Sequence, residues 1–186
     1  MACIFITHPE VLIDPGVPVV EWGLSSVGKD RATRLPDQVG SGVELVVSSG
    51  ERKAVETADL LAAARGLPRV VDHALGEMDR SATGYLPPAE FEQTADAFFA
   101  HPELSVRGWE RAVDAQSRVE AAVRRHQGES DDRAIAFVAH GGVGGLLMAS
   151  LAAVPISRSL DQPGLGSYFW FDAQNWKLLS PWHSIS

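Results

Sequence analysis

The stretch "AIAFVAHGGVGGLLMASLAAV", residues 134–154, decides the architecture. It opens on an unbroken apolar run of strand length, residues 134–139, which suits a strand buried on both faces. His140 ends the run, glycines follow, and an apolar helix begins. A buried strand feeding straight into a helix is the repeating unit of a parallel α/β sheet. The apolar part near residues 143–154 is too short to span a membrane, and a strand precedes it.

Working outward, the same pattern recurs. "ACIFI", residues 2–6, is a second buried strand, ending on Thr7-His8. "VELVV", residues 43–47, is another, ending at Ser48-Ser49-Gly50. A helix starts there, with Ala54, Ala58, Leu61 and Ala62 on one face and Gly66 and Pro68 closing it. "RVVDHAL", residues 69–75, is a further strand candidate. "LSSVGKDRATRLPDQV", residues 24–39, reads as one helix with Ser25 or Ser26 as its N-cap. Residues 78–88 read as a loop. "AEFEQTADAFFA" and "WERAVDAQSRVEAAVRRHQ" are amphipathic helices, so residues 84–127 are expected to form a helical lid or side layer. "GSYFWFDA" and "KLLSPW" flank the turn "QN" as a closing hairpin. The expectation is one domain over residues 1–186: a three-layer α/β/α fold with a mostly parallel central sheet.

A chain of 186 residues can bury one sizeable core. Its formal net charge of −8 argues against nucleic-acid and anionic-membrane surfaces. Cys3 is the single cysteine, which excludes an intrachain disulfide and a cysteine zinc cluster. That usage points to a reducing, cytoplasmic compartment, and the N-terminus lacks the pattern of a signal peptide.

In parallel sheets ligands bind beyond the carboxyl ends of the strands. His8 and His140 both sit there, and two imidazoles on one edge offer a nucleophile and a charge partner. Ser48 and Ser49 stand at a helix N-terminus, where free N–H groups attract an anion. Arg52 and Lys53 fall in that helix's first turn, against the macrodipole, and an anion nearby would compensate them. Glu77, just past the third strand, is a candidate general acid and base. The tryptophans read as core or lid packing, and His73, His101, His126 and His183 are assigned no role.

Taken together these segments resemble the histidine phosphatase superfamily, the group that includes phosphoglycerate mutases. "FITHPE" stands where the family has a strand ending in Arg-His-Gly, and "LSSVGKDRA" resembles its Leu-Thr-x-x-Gly-x-x-Gln-Ala. "SSGERKAVETA" resembles its Ser-Ser-Pro-x-x-Arg-Ala-x-x-Thr-Ala. "ALGEMD" resembles its leucine and catalytic glutamate, and "AFVAHGGVGG" its strand ending in His-Gly-Gly. The resemblance implies a phosphomonoester hydrolase acting on a small phosphorylated substrate without metal or other cofactor. His8 would become phosphohistidine, Glu77 would move protons, and His140 would stabilise charge. The phosphate would lie against Thr7, Arg52, Lys53 and Gly141.

The departures concern the phosphate's cations. Thr7 replaces the family's first arginine, Lys53 aligns with the second, Pro9 replaces a glycine, and Asp14 aligns with a frequent asparagine. Arginine grips phosphate with parallel hydrogen bonds that threonine and lysine do not make. Arg52, Arg31 and Arg80 are the candidates to compensate. The rival reading is a weak or inactive domain of the same fold that binds a phosphorylated ligand or protein. A dinucleotide site at "AHGGVGG" fails on glycine spacing, and a zinc deaminase fails for want of paired cysteines.

Overall fold

A computed structural model describes residues 2–129 and 133–186. Four strands are parallel: β1 (Ala2–Thr7), β2 (Val43–Ser48), β3 (Arg69–Val71) and β4 (Ala134–Ala139). β5 (Ser167–Asp172) runs antiparallel to β1, and β6 (Lys177–Leu178) and β7 (His183–Ser184) pair with β5. The sheet order is β3-β2-β4-β1-β5-β6, with β7 off that path. The three-layer, mostly parallel α/β architecture is therefore the one the sequence implies.

One face is covered by α1 (Ser26–Ala32), α2 (Leu35–Gln38) and α3 (Arg52–Arg65). The other is covered by α4 (Pro88–Ala100), α5 (Ala112–Glu129) and α6 (Gly141–Leu151). α6 is apolar all round because it is buried all round, between the sheet and α5.

Four expectations are corrected in detail. The single helix over residues 24–39 is two, α1 and α2, because Pro36 can only open a helical turn there. Ser25 is the N-cap, accepting from Gly28 N at 3.0 Å. The strand at 69–75 stops at Val71, since the Asp72 carboxylate accepts from Ala74 N at 2.9 Å and turns His73–Leu75 into a 3₁₀ turn. The closing hairpin forms, with Phe171 opposite Leu178, but β6 is only Lys177–Leu178 long. The stretch expected as a lid divides. α5 is a layer helix, with Ala115, Val119, Ala122 and Val123 in the main core beside Phe5 and Phe137. Only the segment from Tyr85 into the first turn of α4 reaches the cavity described next.

Candidate active site

The parallel register pairs Thr7 with Ala139. The next residue on each strand is a histidine, so neighbouring strands deliver His8 and His140 side by side. Their ring centroids are 5.3 Å apart. Both rings line a cavity of about 540 Å³, shared with Glu51, Lys53, Glu77, Arg80, Gly141 and Gln162. Three predicted catalytic positions, His8, Glu77 and His140, thus meet in one place.

His8 is held as a nucleophile would be. Its Nδ1 lies 2.9 Å from the Pro9 carbonyl, which can only accept. Nδ1 therefore carries the proton and Nε2 keeps its lone pair. Burial drives the imidazole pKa down to about 4, so the ring is neutral at pH 7.

His140 is fully buried and shares a 2.8 Å hydrogen bond with Ser49 through Nε2. Ser49 Oγ accepts from Glu51 N at 3.2 Å, which leaves its own proton free for Nε2. His140 Nδ1 has no partner among the described residues. Burial pushes this imidazole pKa down, against the pull of the Glu51 carboxylate 3.4 Å away.

Glu77 follows the His73–Leu75 turn, which Arg118 clamps by donating to the carbonyls of Ala74, Gly76 and Glu77. The Glu77 carboxylate accepts from Gly142 N and Val143 N, at 3.0 and 2.9 Å, at the start of α6. Burial and the nearby Glu51 charge nevertheless raise its pKa above the usual carboxylate range.

Glu51 was not singled out from the sequence. Burial works against its ionisation, yet His140, Lys53 and the Glu77 N–H together hold its pKa at about 2. It takes Lys53 as counter-ion at 2.5 Å. The predicted Lys53 is therefore at the cavity, but its charge is already answered.

The predicted Arg52 is not brought to the site. Its side chain is 59% exposed and pairs with Glu56 one turn on, while that of Lys53 is 5% exposed. Adjacent helix positions are rotated by about 100°, so one first turn cannot aim both inward. Arg31 donates instead to the carbonyls of Leu165, Gly166 and Ile185. Asp14 accepts from Gly16 N and does not line the cavity. Arg80 is left: it lines the cavity, stacks over Phe91 at 5.0 Å, and has no hydrogen-bond or ion-pair partner for its guanidinium among the described residues.

Thr7 is buried behind the site rather than in it. Its hydroxyl donates to Gln162 Oε1 at 2.6 Å, which leaves the Gln162 NH₂ group as a donor beside His140. Gly141 makes room for that amide, because a Cβ there would lie 2.2 Å from Gln162 Nε2. No signal in the sequence pointed to Gln162. Among the described residues, no group of three acidic, cysteine or histidine side chains is placed to hold a metal ion.

A strand-end pair of histidines with a half-buried glutamate, on this sheet, defines a class. The family model of the histidine phosphatase superfamily (branch 1) matches residues 19–176. The chain belongs to that superfamily. The matched stretch contains Lys53, Glu77 and His140 and begins after His8, whose place rests on the sheet register. No curated protein matches.

Among solved structures, the mycobacterial glucosyl-3-phosphoglycerate phosphatase in complex with inorganic phosphate superposes with a TM-score of 0.81 at 24% identity, over 99% of this chain and 98% of that one. YhfR of Bacillus stearothermophilus gives 0.80 at 22%, over 96% and 94%. The alpha-ribazole phosphatase of Shigella flexneri gives 0.77 at 22%, over 100% and 98%. These likenesses are of fold.

Proposed function

We propose that the protein is a phosphomonoester hydrolase working through a phosphohistidine on His8. Membership of the superfamily supports the class, and two fold neighbours, a glucosyl-3-phosphoglycerate phosphatase and an alpha-ribazole phosphatase, accord with it. The observation that carries the reading is the Pro9 carbonyl on His8 Nδ1, which leaves an unprotonated Nε2 in a ring that lines the cavity.

In the first step Nε2 attacks phosphorus, the Nε2–P bond forms and the P–O bond breaks in line. Glu77, whose pKa burial raises, gives its proton to the departing alkoxide when it is protonated. Water then attacks phosphorus, Glu77 takes its proton, and the N–P bond breaks to return neutral His8 and inorganic phosphate. Phosphoryl transfer asks chiefly for positioning and for charge on three oxygens to be answered. Arg80, the Gln162 NH₂ and His140 Nδ1–H are the donors we assign to that task, with Lys53 contributing through a pair it shares with Glu51. Thr7 acts by orienting Gln162, and Gly141 by admitting it. Arg52 has no part in it.

The neutralised Lys53 and uncharged Thr7 favour a second reading, a domain that binds phosphate without turning it over. Phosphohistidine trapping separates the two. The protein is mixed with a phosphomonoester, quenched in alkali and weighed by mass spectrometry. One added phosphate that maps to His8 and vanishes in His8→Ala is the expected result. A folded protein that takes up none across the pH range sinks the enzyme reading.

A further inference from the structure

The wall of the cavity away from the histidines is apolar. Val11, Ile13, Trp22, Tyr85, Phe91 and Leu165 line it. Ile13 and Leu165 are 54% and 43% exposed, so they are not there to build the core. Of the wall's polar side-chain groups, only the Tyr85 hydroxyl lacks a hydrogen-bond or ion-pair partner among the described residues. Trp22 Nε1 donates to the Asp14 carbonyl at 2.8 Å, and Glu92 is paired with Arg158 at 2.6 Å. The cations are also accounted for. Lys53 is paired with Glu51, and Arg80 is the one guanidinium that lines the cavity among the described residues. A single transferred phosphoryl group uses it.

Building on the phosphatase reading, we infer that the substrate is a phosphomonoester of an uncharged, apolar alcohol with no second anionic group. A volume of about 540 Å³ accommodates such a body beside the phosphate. A polyhydroxylated alcohol would turn several hydroxyls toward a wall where the Tyr85 hydroxyl alone is free to replace the water they lose. An apolar one gains by leaving water. A second phosphate or carboxylate would find no free cation there, since Lys53 is already paired with Glu51 and Arg80 is taken by the transferred group.

The test compares 2-phenylethyl phosphate with ethyl phosphate, glycerol 3-phosphate and 3-phosphoglycerate. All release a primary alkoxide, so differences report the pocket and not the leaving group. The expected kcat/KM for 2-phenylethyl phosphate is about tenfold or more above ethyl phosphate. Glycerol 3-phosphate and 3-phosphoglycerate should fall at or below ethyl phosphate. Ile13→Asn, at an exposed position, should cost the phenylethyl ester more than the ethyl ester. Equal rates, or a preference for the hydroxylated or doubly anionic esters, would overturn the inference.

Calorimetric titration with 2-phenylethylphosphonate and ethylphosphonate isolates binding from turnover. Tighter binding of the phenylethyl compound to a chain that hydrolyses nothing upholds the ligand class and defeats the phosphatase reading. Equal affinities, or no binding of either, defeat the ligand class while an active enzyme keeps the phosphatase reading.

Discussion

Two helices begin at this site, and each holds a glutamate, but the two carboxyls are shifted in opposite directions. At α6 the carboxylate comes from another element: Glu77 accepts two backbone N–H groups of the first turn. At α3 the carboxylate is the N-cap residue itself, Glu51, which makes no cap hydrogen bond and turns to Lys53 and His140 instead. A helix N-terminus stabilises an anion, yet Glu77 is the one pushed toward protonation. Glu51 has a full positive charge at 2.5 Å, whereas Glu77 has only dipoles and a like charge nearby. Carboxyls whose environments drive their pKa values apart divide the roles of proton donor and fixed anion between them.

The comparison breaks most directly at Glu77. Glu77→Gln keeps the shape of the side chain and one accepting oxygen but cannot move a proton, so kcat should fall by about 10²–10⁴ in steady-state assays. A loss under about threefold would return the acid–base role to another group.

Arg80→Ala should lower kcat/KM by about 10²–10³, the usual cost of one donor to the transition-state oxygens. Arg80→Lys should recover only part of it, because an ammonium lacks the planar fork.

Glu51→Gln sharpens the contrast through pH. Removing the like charge beside Glu77 lets its pKa fall toward the ordinary carboxylate value. Glu77 then loses its proton at lower pH, and the alkaline limb of the kcat/KM profile moves to lower pH. An unmoved limb would uncouple the two glutamates.

Stability should follow the same groups. The folded pKa of His8 is about 4, below the unfolded value of 6.5. Its contribution is complete above 6.5 and is lost as pH falls toward 4, which amounts to about 2 kcal/mol at pH 5. Glu51, lowered to about 2, contributes above its unfolded value of 4.5 and loses that as pH falls toward 2. Urea midpoints at several pH values measure both, and His8→Gln should flatten the upper window.

The smallest effect belongs to Arg52→Ala. A side chain paired with Glu56 on the surface should change kcat/KM by less than about twofold. A larger loss would mean that Arg52 swings inward with substrate bound.

Much of the site was legible in the chain itself. The apolar runs at residues 2–6 and 134–139 placed a histidine at each strand end, because strands buried on both faces announce themselves by unbroken hydrophobicity. The order of the short motifs named the superfamily, and the glutamate after "ALG" marked the candidate general acid. What pattern cannot carry is the destination of a side chain. Arg52 and Lys53 are neighbours in sequence, and only the way α3 packs decided which one faces the cavity. Arg31 and Arg80 were equal candidates until carbonyls of residues 165, 166 and 185 were seen to occupy the first. Thr7 was read as a missing cation, but its hydroxyl orients Gln162, a partner 155 residues away. Glu51 passed unnoticed because a glutamate followed by Arg52 and Lys53 looks solvated until burial joins it to His140. Local sequence determined which elements form and which residues end them, since hydrophobic period and chain direction are local properties. Charge pairing and hydrogen bonding between distant segments were decided by the tertiary structure alone, because they depend on distances that exist only once the sheet has brought those segments together.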